Sequence, residues 1–410
     1  MAETALPGKA VRACFIALIC QAPLLANADP AAFSFLAEGE AKLSFRYRYE
    51  FVDQTGLSED AQASTLRSRL TYQTPSDQKI ALILEADNVM RLGGAKYSDG
   101  NRTLPGRPVV ADPIGTEFNQ AYVSLQPDSR LNFSLGRQRI NLDDQRFIGG
   151  VGWRQNEQTY DAGRIRLSLP AGPTLDYSYL WNINRVFGPK GGAQASDWEC
   201  NCHALNFGMM PWKNARIALF VYHLDLDEAV SVSNRTLGAR VSGTFNVANG
   251  TDLNYLVSYA RQSDVGRNPV DYSADYYHVR LGVKTKLLSA SLGYEILGSD
   301  SGRAGAAFVT PLATLHGFNG WADKFLATPD AGLVDLYGQL AFDVEGFVTS
   351  IVYHRYAADY GGADFGSEWN LSFSRKVSKQ LGLLGKLAAY DSDGFATDTE
   401  KVWLMVSYSP

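Results

Sequence analysis

The chain has 410 residues, 45% of them hydrophobic and 20% charged, with a formal net charge of −5. Its mean hydropathy of −0.17 is too polar for a bundle of transmembrane helices. The acidic balance, with no block of basic residues, gives no support to nucleic-acid binding.

The first element is a leader. Lys9 and Arg12 precede an apolar run over residues 13–25, and Ala26-Asn27-Ala28 supplies the small-x-small pattern that a signal peptidase recognises. The run is too short to span as a helix, and no other long apolar stretch follows it. Ile19 is too bulky for lipoprotein processing at Cys20. A signal peptide over 1–28 and a mature chain over 29–410, retaining Cys200 and Cys202, are therefore expected.

From about residue 39 the sequence settles into segments of roughly ten residues separated by turn signals. Leu43, Phe45, Tyr47, Tyr49 and Phe51 alternate with Ser44, Arg46, Arg48 and Glu50, which puts an apolar aromatic face opposite a charged one. Short turns are expected at Pro75-Ser76-Asp77, Pro127-Asp128-Ser129, Pro170-Ala171-Gly172-Pro173, Pro211-Trp212-Lys213-Asn214, Asn249-Gly250, Lys286-Leu287, Val344-Glu345-Gly346 and Ser378-Lys379-Gln380. Between them lie longer polar loops, at 90–116, 140–157, 185–199 and 299–331. Sorting turns and loops in this way has no reason in a soluble sandwich. It is the plan of an all-β transmembrane antiparallel barrel with short periplasmic turns and long extracellular loops. The turns give about eighteen strands in one domain, with both termini on the short-turn side. Alternation is weakest at residues 216–227, where Phe220 and Tyr222 blur it. Tyr72, Tyr122, Tyr179 and Trp181 fall near strand ends, as aromatic girdles require. The last segment puts Val402, Leu404, Val406 and Tyr408 on one face, although Ser409 and Pro410 follow the aromatic residue.

With the apolar parity turned to lipid, the other parity lines a water-filled lumen. On it fall Arg46, Arg48, Arg67, Arg69, Arg164, Arg166, Arg240, Arg280, Lys284 and Lys386, against fewer acids: Glu50, Glu85, Asp87, Asp176, Glu295 and Asp335. Confined basic groups draw anions and repel cations, and the guanidinium fork suits carboxylates. The i,i+2 pairs Arg46/Arg48, Arg67/Arg69 and Arg164/Arg166 form ladders. These either hand an anion along the wall or pair with Glu50, Glu85 and Asp87 to stiffen it.

Two stretches carry a resemblance. One runs Gly136-Arg137-Gln138-Arg139, Asp143-Asp144-Gln145-Arg146-Phe147, Gly152-Trp153-Arg154-Gln155 and Tyr160-Asp161-Ala162. The other runs from Thr314-Leu315-His316-Gly317 through Phe318, Trp321, Asp323, Lys324 and Phe325 to Thr328-Pro329. Both resemble the alginate export family of outer-membrane porins. The resemblance implies an eighteen-stranded monomeric barrel in the bacterial outer membrane, with an electropositive constriction conducting an anionic polyuronate. It places Arg137 and Arg139 at the pore mouth, with Asp144 and Arg146 in a loop folded over it. It makes residues 318–325, with Phe318, Trp321, Asp323 and Lys324, a surface loop partly closing the channel. Export of a polymer and uptake of oligosaccharides fit the residues equally.

No catalytic residue, metal or cofactor is expected. Cys200-Asn201-Cys202-His203 crowds its ligands too closely for one ion, and a strained disulfide is the better reading of the two thiols. Asp391-Ser392-Asp393-Gly394 lacks the remaining ligands of a calcium loop. His354 and Ser350, on one strand face, stand about 13 Å apart, too far for a nucleophile and its base. The expected function is a channel for anionic saccharides, contacting the lipid bilayer and lipopolysaccharide and inserted by the barrel-assembly machinery. Two other functions remain open: a general diffusion porin of weak selectivity, and a barrel enzyme or surface adhesin.

Overall fold

The computed structural model describes residues 38–75, 79–170, 172–248 and 250–410. The expected signal segment, 1–28, lies outside the described residues.

Eighteen strands follow one another: β1 Glu40–Gln54, β2 Ala61–Gln73, β3 Ile80–Arg91, β4 Gly115–Leu125, β5 Leu131–Gln138, β6 Thr159–Ser168, β7 Thr174–Asn184, β8 Asp197–Trp212 and β9 Ala215–Leu226 come first. Then come β10 Asn234–Ala248, β11 Thr251–Asp264, β12 Ser273–Lys284, β13 Leu288–Leu297, β14 Leu333–Val344, β15 Phe347–Ala357, β16 Asp364–Lys376, β17 Leu381–Asp391 and β18 Thr399–Tyr408. Each pairs antiparallel with its sequence neighbours, and β1 pairs with β18 from Phe45↔Tyr408 to Gln54↔Thr399. That last pairing closes the sheet, so no edge is left with unpaired backbone groups, the condition for crossing lipid in strands.

The eight turns expected from the sequence sit at junctions of consecutive strands, with Pro211 and Trp212 still in β8 and Val344 in β14, and they alternate with the longer loops. Chemistry fixes them locally: Glu345 and Gly346, with φ of +52° and +77°, make the two-residue left-handed turn that matches the twist of a hairpin. Nine loops gather at the opposite end. Three of them matter for the lumen and are called here L2 (92–114), L3 (139–158) and L7 (298–332).

Alternation decides which side chains point where, because consecutive strand residues face opposite sides of the sheet. The outward set includes Leu135, Leu237, Leu281, Leu292 and Trp369, between 58% and 65% exposed. Here hydrophobics are outside, the reverse of a soluble protein, as a lipid-facing belt demands. Inward lie Arg46, Arg48, Glu50, Arg67, Arg69, Glu85 and Asp87. In β9 the blurred alternation resolves cleanly: Ala218, Phe220, Tyr222, Leu224 and Leu226 are buried on the inner side.

Two girdle positions, Tyr179 and Trp181, are outward and exposed. Tyr122 is not. The β3–β4 register shifts between Glu85 and Ala86, which turns Tyr122 inward opposite Ile83. Tyr72 is buried.

Candidate functional site

L3 and L7 fold into the barrel and bind each other as well as the wall. Ile148 and Leu312 form a parallel bridge. Gly149 N–H donates to Leu312 O at 2.9 Å, and Thr314 N–H to Gln145 O at 3.0 Å. The Thr314 hydroxyl reaches Gln145 Oε1 at 2.7 Å. Apolar contacts seat the pair. The Phe147 ring lies 4.9 Å from Phe220 and 5.2 Å from Tyr276, and Phe325 lies 4.4 Å from Tyr356. The two loops are thus one plug, held against the wall by three sets of charged contacts.

The first set involves β1 to β4. Arg46 donates to Gln155 Oε1 (3.0 Å) and to Gly152 O (2.9 Å). Arg48 pairs with Glu50 at 3.1 Å and with Asp112 of L2 at 3.5 Å, its guanidinium lying 4.1 Å over the Trp153 ring. Arg69 holds Asp87 through two donors at 2.7 and 2.6 Å. Glu157 receives Arg67 (3.2 Å), Arg69 (3.0 Å) and Arg139 (2.7 Å). Burial alone would raise the Glu157 pKa, but Arg69, Arg139 and Arg67 pull it down to about 2.

The second set involves β12 to β15. Buried Arg146 grips both oxygens of Glu295 (2.7 and 3.3 Å), and Tyr276 donates to the same carboxylate at 2.7 Å. Asn319 of L7 donates to Glu295 at 2.7 Å and to Asp335 at 3.0 Å. His354 Nδ1 lies 2.9 Å from Asp335, which occupies it structurally.

The third set involves β16 to β18. Asp323 of L7 accepts from Lys401 (2.8 Å) and from Arg154 of L3 (2.9 Å). Burial opposes the Asp323 charge, yet Lys401, His316 and Arg154 hold its pKa well below the usual range. Asp323 also faces His316 Nδ1 at 2.7 Å, which leaves Nε2 to accept from Lys386 Nζ at 2.8 Å. Burial keeps His316 neutral, its pKa well below normal despite Asp323. The Lys386 ammonium sits among indoles, 3.7 Å from Trp321, 4.1 Å from Trp153 and 5.3 Å from Trp403. Glu368 accepts the backbone N–H groups of Trp321 and Ala322. That approach needs glycine next door. Gly320 has φ +86°, and a Cβ there would lie 2.3 Å from both Glu368 and Tyr356.

The plug decides the fate of the basic residues expected to line the path. Arg46, Arg48, Arg67, Arg69, Arg139 and Lys386 do reach the lumen, but L2, L3, L7 or wall acids engage them. Arg240 pairs with Asp144, and Arg164 with Asp176 through two donors. Arg146 is not over the mouth but deep against Glu295, with Phe318 4.8 Å from its guanidinium. Residues 318–325 are not a surface loop: Asn319, Ala322 and Phe325 are buried. Lys324 is only partly exposed, its pKa lowered to about 8 by burial and by Lys401. Arg137 corrects an expectation outright. It shares the outward parity of Leu135 and holds Asp161 at 2.7 and 3.0 Å on the outer side, not at the pore mouth.

Toward the turn end the inner wall is open. Arg166, Arg280 and Lys284 are inward and exposed, and none forms an ion pair among the described residues. Arg216, absent from the sequence reading, lies beside them with its side chain 48% exposed, in a long ion pair with Asp143 at 3.7 Å. Also missed were Lys401, Trp403 and Glu368. Lys401 and Trp403 were legible from the parity opposite Val402 and Leu404. Cys200 and Cys202 are buried free thiols rather than a disulfide: both point inward from one strand.

Chemically, this is a lumen whose loop-end half is neutralised and packed, and whose turn-end half exposes cations to water. Comparison with known proteins agrees with a channel. Residues 39–179, β1 into β7, match the sequence model of the family described as alginate export; the stretch around Trp321 lies outside the matched span. No curated protein sequence matches the chain. The fold is similar to that of Acinetobacter baumannii OccAB4, with a TM-score of 0.71 at 15% identity over 91% of this chain and 98% of that one. Pseudomonas aeruginosa OccK9 (OpdG) gives 0.69 at 16% identity over 92% and 99%, and Acinetobacter baumannii OccAB2 gives 0.68 at 16% over 90% and 98%. The eighteen-stranded closure and the outward apolar belt make this chain a β-barrel of the bacterial outer-membrane type, similar over residues 39–179 to the alginate export family.

Proposed function

We propose that the protein is a passive, non-enzymatic channel for anionic solutes, with carboxylated saccharides as the class that suits it best, working as a monomer. One observation carries this reading: the inner wall of the turn-end half presents Arg166, Arg280 and Lys284 to water with no ion pair among the described residues, and Arg216 with a single long one to Asp143 at 3.7 Å. Asp176, the acid across the ladder from Arg166, is taken up by Arg164. Uncompensated cations in a low-dielectric tube concentrate anions and exclude cations. Guanidinium groups add two-point recognition of carboxylates. The outward belt suits lipid and lipopolysaccharide contact, and β18, with Leu404 and Tyr408 outward, suits delivery by the barrel-assembly machinery.

The test is the reversal potential of single channels under a salt gradient, followed by addition of oligouronates. Anion selectivity with current block by uronates is expected. A reversal potential near zero would instead favour a general diffusion porin, which the many internal ion pairs would also suit.

A further inference from the structure

The exposed cations of the turn-end half are not evenly spread. Beneath L3 lies a polar cavity of about 500 Å³, walled by β5 to β9. Four of its lining groups form one cross-strand row: Asn132 on β5, Arg166 on β6, Asp176 on β7 and Asn206 on β8 are register partners in turn. Arg216 lines the same cavity from β9, and Asn141 and Asp143 of L3 lie along it.

The hydrogen bonds leave the two arginines available. Arg166 donates to the Asn132 amide oxygen at 2.8 Å, a neutral acceptor. Arg216 has one long ion pair, 3.7 Å to Asp143, and no hydrogen bond among the described residues. The acid that would quench Arg166, Asp176 across the ladder, is held by two donors of Arg164, Nε and one Nη. The cavity thus presents two guanidinium groups with free donors beside the carboxylates of Asp143 and Asp176, and three amides with capacity left for hydroxyl groups: Asn206 spends its N–H groups on Asp143 and Tyr222 and keeps its oxygen, while Asn141 accepts from Gly150 N–H and keeps its N–H groups. Its volume falls within the roughly 300–1,000 Å³ of small-molecule pockets. Gln126, Ser129 and Arg130, from the short turn after β4, form part of its lining, so it opens toward the periplasm.

Resting on the channel reading above, we infer that this cavity is a saturable subsite for a carboxylated sugar on the periplasmic side of the plug. Arg166 and Arg216 take the carboxylate, and Asn132, Asn141 and Asn206 take ring hydroxyls. The subsite makes the channel asymmetric: a uronate arriving from the periplasm meets a built site before the plug.

The experiment uses oriented single channels and a tetrauronate added to one side at a time, with a neutral tetrasaccharide as control. Each lost charge-assisted contact weakens binding by about tenfold or more. Arg166→Gln/Arg216→Gln is therefore expected to raise the half-blocking concentration for periplasmic addition by about a hundredfold. The value for extracellular addition should hardly change. Lys379→Gln, exposed in the β16–β17 turn and outside the cavity lining, should leave periplasmic block intact. Arg216→Lys, which keeps the charge but not the fork, should retain anion selectivity while weakening block. Normal gel mobility before and after boiling establishes that each variant folds. If wild type is anion-selective and blocked, but Arg166→Gln/Arg216→Gln is blocked equally from the periplasm, the subsite is refuted and the channel reading stands. If wild type shows no anion preference, the channel reading itself falls, and the subsite with it.

Discussion

Arg146→Met should unseat the plug. Arg146 is 1% exposed and its guanidinium meets Glu295 twice, Thr310 at 3.1 Å and Asn319 at 3.0 Å. Methionine keeps much of the volume but strands Glu295 as a buried charge with only Tyr276 and Asn319 as donors. Removing one member of a buried ion pair costs about 3–5 kcal/mol. The barrel ladder does not depend on this contact, so the cost falls on docking of L3 and L7. At 1.4 kcal/mol per factor of ten, the ratio of docked to undocked plug drops by a hundredfold or more. Single-channel recording should show longer and larger openings, and protease should cut at Lys324 without heating. The second variant, Arg146→Met/Glu295→Met, replaces both charges with apolar groups and should recover most of the docking, because such exchanges are often neutral. Conductance and proteolysis unchanged in Arg146→Met would show that the pair does not hold the plug. Failure of the double variant to recover docking would trace the defect to packing instead.

Three further outcomes can be checked directly. Gly320→Ala should loosen L7, since a side chain at φ +86° costs about 1–2 kcal/mol and the new methyl would strike Glu368 and Tyr356; hydrogen exchange at Trp321 and Ala322 reads it. Acid should open the channel in two stages. Docked His316 and Glu157 both have lowered pKa values, so the undocked plug binds more protons and docking weakens as pH falls. His316 acts below about 6.5, and Glu157 between its ordinary 4.5 and about 2. Conductance that is flat from pH 7 to pH 4 would contradict the burial of His316. Unboiled protein should migrate differently from boiled protein on a denaturing gel, as a closed ladder resists detergent; identical mobility would sink the barrel.

What the sequence disclosed was whatever depends on neighbours along the chain. Alternation over Leu43 to Phe51, turn residues such as Glu345-Gly346 and the length contrast between turns and loops fixed strand number, parity and orientation. Two local failures have local causes. A register shift at Glu85 turned Tyr122 inward, and the large inward Phe220 and Tyr222, present because Phe147 packs on them, hid β9 and with it Arg216. The destination of the loops was beyond reach. Glu157 and Asp323 read as ordinary loop acids, and only tertiary structure carries each to the cations of a distant strand, Arg67 and Lys401. For the same reason the family-like stretches marked the right loops but suggested a mouth and a surface where the chain builds a core.

This bears on how selectivity should be reasoned in such a barrel. A census of inward residues counts the ladders Arg46/Arg48 and Arg67/Arg69 as the strongest anion path, yet Arg48, Arg67 and Arg69 are paired with Glu50, Asp112, Asp87 and Glu157, and Arg46 spends its donors on neutral groups of L3. Cancelled charges contribute rigidity: they hold the plug and set the geometry of whatever passage remains beside it. Arg166, Arg216, Arg280 and Lys284 are fewer, but they act on solvent. Their field is screened by salt over about 10 Å at 0.1 M, so anion preference should fall as ionic strength rises, whereas docking of the plug through buried pairs should not. Salt therefore separates the two roles of the lumen arginines in one unmodified protein.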